Sequence, residues 1–225
     1  MATTPPEWEV TEVLGRLPGA SNATLLGRLG DDSLVVYKPV RGEAPLWDFE
    51  PESLAIREVL VFEVSEAAGW GVVPETRWSD GPYGPGSAQR FLHEDPEADH
   101  RTFVHPEPDD RLWPIAVLDL LTNNADRKLG HLLPTTDGAI WAIDNALTFH
   151  PDEKLRTVLW GFAGRRLPDD LVSALDRLVD VPELVGSAVG PDAAAGFRRR
   201  LAALRDDPVH PHPPTDRHPL PWPVW

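Results

Sequence analysis

The sequence predicts an α+β chain in two lobes, an antiparallel sheet carrying one helix followed by a mainly helical part, on three observations. First, residues 10–14, 24–29 and 33–38 are short apolar runs, separated by the turn-rich segment RLPGASN and by Gly30-Asp31-Asp32; this reads as an antiparallel meander. Second, one helix-period segment, residues 54–68, lies between that meander and a second hairpin over 72–78 and 87–92, for five strands in all. Third, an acidic, proline-containing stretch at 93–111 separates these elements from helix patterns at 112–122, 167–178 and 193–204.

Each element has a local reason. Gly42, Pro45 and Pro51 make residues 41–51 a loop, and Ser53 is placed to cap the helix that follows. That helix sets Leu54, Val61, Val64 and Ala68 mostly three, four and seven steps apart. Pro168 and Pro191 open the last two predicted helices, each beside an aspartate suited to a helix start. Residues 140–143 form a short strand between two polar loops. After Asp207 the chain is too rich in proline for a regular element. The expected division is therefore residues 1–95 as the first lobe, 96–111 as a linker or insertion, 112–207 as the second lobe and 208–225 as a Pro/His-rich tail.

Composition narrows the function classes. With 225 residues, 41% of them hydrophobic, the chain can bury a real core. It has no cysteine, so disulfides and thiolate metal sites are excluded. No basic-then-apolar leader and no run of about 18 apolar residues is present, so the expectation is a soluble, cytoplasmic protein without membrane insertion. The formal charge is -15, of which residues 1–100 carry -11, from 18 acidic and 7 basic side chains. Such an acidic surface repels phosphate backbones, so nucleic-acid partners are disfavoured. The tail histidines His210, His212 and His218 alternate with prolines, which oppose a convergent metal site.

Chemistry concentrates between Asn123 and Asp144. The loop NNADRKLGHLL presents Asp126 with His131 five residues later, and after the turn TTDG the segment IWAIDNALTFH presents Asp144 at the end of a strand. Phosphoryl transfer needs one carboxylate to orient the attacking hydroxyl and another to hold magnesium against nucleotide phosphates. An aspartate flanked by Ile143 and Leu147 also needs a cation or donors nearby.

These paired motifs resemble those of the phosphoinositide 3-/4-kinase superfamily: DRKLGH its catalytic loop, AIDNALTF the metal-binding segment of type II phosphatidylinositol 4-kinases, with HipA-like kinases sharing the scheme. The YKP, LWDF, NNADRKLGH and TVLW segments resemble a family of small, mostly actinobacterial kinase-like proteins of unassigned substrate. The resemblance covers roughly residues 10–165 and implies a protein-kinase-like fold using ATP and magnesium. Asp126 takes the catalytic role and Asp144 that of the magnesium ligand. His131 stands where relatives carry asparagine, so it is expected either to bind metal, leaving a weak second metal position, or to meet phosphate as an imidazolium. Ala146 replaces a glycine of the small bacterial family.

The resemblance also assigns a nucleotide site. Lys38 is the ATP-phosphate lysine, with Glu58 as its ion-pair partner and Glu63 as a competitor; Ser21 is the contact from the first hairpin loop; Gln89 and Phe91 belong to the hinge whose backbone meets adenine. The acceptor is an unidentified hydroxyl compound. Lys154, Arg156, Arg165 and Arg166 hint at an anionic one, or are solvated or paired within the chain. A catalytically weak binding module and transfer of AMP are the alternatives.

Overall fold

The computed structural model describes residues 8–18, 23–105 and 107–225. Strands β1 (Val10–Arg16), β2 (Leu25–Leu29), β3 (Leu34–Pro39), β4 (Thr76–Ser79) and β5 (Gly86–Arg90) form one antiparallel sheet in the order β1-β2-β3-β5-β4. Burial alternates along β3: Val35, Tyr37 and Pro39 point inward, while Leu34, Val36 and Lys38 share the other face. The Lys38 position is thus a consequence of strand period. Its neighbour Tyr37 is fully buried and donates its hydroxyl to Gly84 O, tying β3 to the β4–β5 turn.

Helix α1 (Leu54–Ala68) crosses behind the sheet and ends at Gly69, whose φ of 72° lets the last carbonyls of the helix be closed by a left-handed residue. The expected serine cap is corrected. Ser53 Oγ donates to Glu50 O and accepts from Arg57 Nε, while the Glu43 carboxylate accepts from the amides of Leu54 (3.2 Å) and Ala55 (2.8 Å). An anion from the preceding loop suits the positive end of the helix as well as a hydroxyl would.

The chain passes from the sheet to the second part between Phe91, whose amide donates to Leu34 O, and Asp95, whose amide donates to Pro134 O. There α2 (Trp113–Thr122) is buried on nearly every side, as an almost wholly apolar helix must be. Next come the hairpin of β6 (Leu132–Pro134) and β7 (Ile140–Ala142), then α3 (Asp169–Ala174), α4 (Val181–Val189) and α5 (Pro191–Asp206). The expected helix at 167–178 is α3 continued by a tighter turn at Leu175–Leu178; α4 was not anticipated.

The main core is continuous from Leu60, Val61 and Val64 of α1 through Leu118 and Leu121 of α2 to Phe149, Phe162, Leu175 and Phe197. Each such side chain contributes about 1.5–3 kcal/mol by leaving water. The sheet keeps only a small cluster of its own, Val10, Leu29, Val35, Tyr37 and Ala88. Helix α1 therefore belongs energetically to the helical part, although the chain reaches it from the sheet. No helix among the described residues is long and apolar enough to cross a membrane.

Candidate active site

Three segments converge in front of α1. From β3, the Lys38 ammonium contacts Glu58 Oε1 and lies 2.7 Å from Asp144 Oδ1. Glu58 is only 2% exposed, and its second oxygen accepts from the Asn145 amide at 3.0 Å. One α1 carboxylate thus fixes both the lysine and the backbone just after Asp144. Glu63, the competing partner, lies instead 4.0 Å from Arg77. Burial works against the Lys38 charge, but Asp144 and Glu58 more than offset it and raise its pKa well above the ordinary lysine value. An ammonium has three donors, so one is left for a further oxygen.

The loop carrying Asp126 leaves α2 through Asn123, which adopts a left-handed φ of 58°, a conformation asparagine tolerates better than most residues. Its side chain donates to His150 O and Asp152 O and accepts from the Lys154 amide, so one asparagine holds the segment that follows Asp144. Asn124 Oδ1 accepts from the Asp126 amide at 2.9 Å, turning the chain so that Asp126 faces outward. Asp126 Oδ2 lies 3.0 Å from Lys128 Nζ. Burial pushes the Asp126 carboxyl up, and Lys128 only partly opposes it.

Beneath this loop lies a buried ion pair that the motifs did not single out. Arg127 is fully buried; its Nε and Nη2 donate to Asp119 of α2, Nη1 to Ile143 O at 2.9 Å, and Nη2 also to Asn145 Oδ1 at 2.6 Å. Asp119 accepts in addition from Asn124 Nδ2 and Thr157 Oγ1. One guanidinium therefore binds the loop carrying Asp126 to the segment carrying Asp144.

Asp144 itself has a φ of 55°. A non-glycine residue there carries strain of about 1–3 kcal/mol and persists only where its surroundings over-determine it. Its carboxylate is half exposed, with Lys38 at one oxygen and His131 Nε2 3.2 Å from the other. Lys38, ahead of the opposing effect of burial, holds the carboxyl well below its usual range. The His131 ring is pushed down to about 4 by its burial, against the attraction of Asp144. Burial thus favours the neutral ring over the imidazolium. The Lys128 amide points at Nδ1 (3.5 Å), while Nε2 faces the Asp144 carboxylate.

The structure thus brings Lys38, Glu58, Asp126, His131 and Asp144 together. Ser21 lies outside the described residues. Gln89 is interior to the sheet, its amide donating to Thr76 Oγ1, so its side chain serves β4 rather than the cleft. The Phe91 amide is engaged by Leu34 O and its ring meets His93 edge-on. Ala146 packs with Phe49 and Leu54, filling a contact that a glycine would leave empty. Sequence reasoning missed Arg127, Asp119, Asn124, Asn145 and Lys128; the legible signal was Asp119, a carboxylate inside an otherwise apolar helix. Among the described residues no group of three or more acidic or histidine side chains is gathered around one metal position.

No protein-family model matches the chain. Protein Rv2133c of Mycobacterium tuberculosis is 38% identical over 256 aligned residues, covering 95% of this chain and 91% of that one. Among solved structures, the Golgi casein kinase with Mn/ADP bound aligns with a TM-score of 0.58 and 15% identity, over 90% of this chain and 72% of that chain. The Helicobacter pylori proinflammatory kinase CtkA aligns with a TM-score of 0.56 and 12% identity, over 90% and 93%. Hydra Fam20 with sugar follows at 0.54 and 14%, over 88% and 83%. At these identities the likeness establishes the fold, which is the α+β kinase-like one. By its extensive identity with Rv2133c, the chain belongs to the same family as that mycobacterial protein.

Proposed function

We propose that the protein is an ATP-dependent phosphotransferase that moves the γ-phosphoryl group to a hydroxyl of a small or macromolecular acceptor. The observation that carries the reading is Lys38, held between Glu58 and Asp144 across two parts of the chain, with Asp126 on the adjoining loop. The resemblance of DRKLGH and AIDNALTF to phosphoinositide 3-/4-kinase motifs supports the finer placement, but it does not name a lipid acceptor.

The residues fit magnesium rather than a softer metal. Asp144 offers a hard, half-exposed carboxylate, and among the described residues no cage of nitrogen or sulfur ligands surrounds it, which suits an ion that keeps several waters and shares phosphate oxygens. Such an ion supplies neutralisation of charge on the phosphate oxygens when bound. Lys38 donates to a phosphate oxygen while Glu58 keeps it oriented. His131 lies against Asp144 and leaves that carboxylate fewer rotamers. Asp126 accepts the proton of the acceptor hydroxyl as its oxygen bonds to the γ-phosphorus; the bond to the bridging oxygen breaks, ADP leaves with that electron pair, and the proton passes from Asp126 to solvent. The upward push on Asp126 makes it a better proton acceptor than an ordinary aspartate.

Incubation with γ-labelled and α-labelled ATP, magnesium and a lysate fraction tests the proposal. Label should move from the γ position only, and Asp144→Asn should lower transfer by about 10²-fold or more, the scale of losing one charge-stabilising group. Transfer of α-label would assign AMP transfer instead. Equal transfer by wild type and Asp144→Asn would reject the site.

A further inference from the structure

We infer that Arg156 is the acceptor-side anion clamp, so that the acceptor is a hydroxyl compound bearing a phosphate or carboxylate near the hydroxyl that reacts. This rests on the phosphotransferase reading and extends it to a substrate class. The argument begins with a short parallel pairing between the catalytic loop and the segment after Asp144. The Arg156 amide donates to Asn124 O (2.9 Å), the Arg127 amide to Arg156 O (3.0 Å) and the Val158 amide to Arg127 O (3.1 Å), with Arg127 bridged to Thr157. Side chains alternate across such a pairing. Ala125, Arg127, Leu129, Leu155 and Thr157 are buried, whereas Asp126, Lys128 and Arg156 lie on the more accessible face. The Arg127–Thr157 bridge, with a one-residue step between Asn124 and Arg127, brings the Arg156 backbone next to that of Asp126 on the more accessible face.

The four basic residues of this region now separate. Lys154 is committed to Asp48 at 2.9 Å and lies over the Trp47 ring. Arg165 pairs with Asp110 at 3.5 Å and lies over Trp113 and Phe162. Arg166 is exposed and bridged through its backbone to Val209, away from the loop. Among the described residues no carboxylate pairs with the Arg156 guanidinium, although acidic side chains outnumber basic ones 36 to 21. Several other arginines among them also lack a carboxylate partner, so it is the position of Arg156 on the Asp126 face, not its lack of a partner, that sets it apart. Asp126 itself repels any anionic acceptor brought to it, so a positive group on the same face is what such an acceptor requires. The planar fork of arginine matches phosphate and carboxylate with two parallel hydrogen bonds.

The test titrates inorganic phosphate into protein saturated with Mg–AMP-PNP, which fills the γ position and leaves the acceptor side to be read. Phosphate should bind the wild type, weaken at least about tenfold in Arg156→Gln, the loss expected for a charged hydrogen-bonded contact, and be unchanged in Arg166→Gln. Arg156→Lys should lie between. Glycerol 3-phosphate and glycerate should displace phosphate, their ranking telling a phosphate from a carboxylate preference, while glycerol should not. Unaltered phosphate binding in Arg156→Gln at unchanged melting temperature, or displacement by glycerol as readily as by the anions, would overturn the assignment. Should AMP-PNP itself give no binding heat, the phosphotransferase reading falls, and the same wild-type and Arg156→Gln comparison on the free protein still decides the clamp.

Discussion

Two ion pairs meet within the same motif region and differ in their surroundings. Arg127 and Asp119 have side chains 0% and 1% exposed, and four partners from three segments, Asn124, Ile143 with Asn145, and Thr157, close around them. Lys38 and Asp144 are 18% and 49% exposed, and each has a second partner from a different element. The first pair is sealed, so removing either member leaves a buried charge uncompensated. The second can exchange one partner for an incoming phosphate or cation without unfolding anything. A short stretch of sequence thus contains both the proposed phosphate and metal contacts and the frame that holds them, and charge alone does not tell which is which.

The largest effect expected from this contrast is on stability. Arg127→Met or Asp119→Asn should each cost about 3–5 kcal/mol, the scale for breaking a buried pair by removing one partner. The double variant Arg127→Met with Asp119→Leu should recover part of that loss, since an apolar pair leaves no orphaned charge. Denaturant unfolding measures all three. Asp144→Asn, by contrast, should leave stability nearly intact, because asparagine accepts the left-handed φ and Lys38 retains Glu58. Comparable destabilisation by Asp144→Asn and Arg127→Met would erase the distinction.

A smaller effect is expected at the tail. The Val224 carbonyl accepts from the Leu129 amide, and the Pro219 carbonyl accepts from the Thr157 amide and from Trp160 Nε1 at 2.9 Å. The tail therefore straps both strands of the pairing that carries Asp126 and Arg156. Deleting residues 219–225 removes three hydrogen bonds worth about 1 kcal/mol each. Hydrogen exchange should then rise at Leu129 and Thr157 before it rises in α2. Unchanged exchange at those two amides would show that the loop stands without the strap.

Periodicity made Lys38 legible, because alternation along β3 dictates its face, and it made α1 and α2 legible to within about two residues. It could not choose between Glu58 and Glu63, five positions apart on one helix, since the choice depends on how α1 is rotated against the C-terminal helices. Arg127 gave no sign of burial in the sequence, because arginine is nearly always exposed unless paired; its burial follows from Asp119, which lies on another element. The tail has no period at all, and its order comes from single carbonyls meeting amides that local sequence cannot anticipate. Helix α4 was legible: Asp180 and Pro182 at its start, apolar residues at 181, 184, 185 and 188, and Gly190 just past its end are the marks of a short helix.

The smallest effect separates the sealed interior from the working site by pH. His210 is fully buried, its ring among Trp113, Trp160 and Phe162, with Nδ1 at Pro211 O (3.0 Å) and Nε2 without a hydrogen-bond partner. Burial pushes its pKa down to about 4 from the ordinary value of 6.5. The unfolded chain then binds more protons than the folded one between those limits, so stability is full above about pH 6.5 and is lost as pH falls toward 4, by about 1 kcal/mol at pH 5.5. His210→Phe should flatten that part of the stability profile, because an apolar ring of similar shape has no proton to gain. Since His210 touches no group of the proposed site, the pH profile of phosphoryl transfer should keep its shape in the variant, wherever the protein is still folded. Urea midpoints collected between pH 7 and pH 5 check the first outcome, and an unflattened profile would mean that the acid sensitivity arises elsewhere.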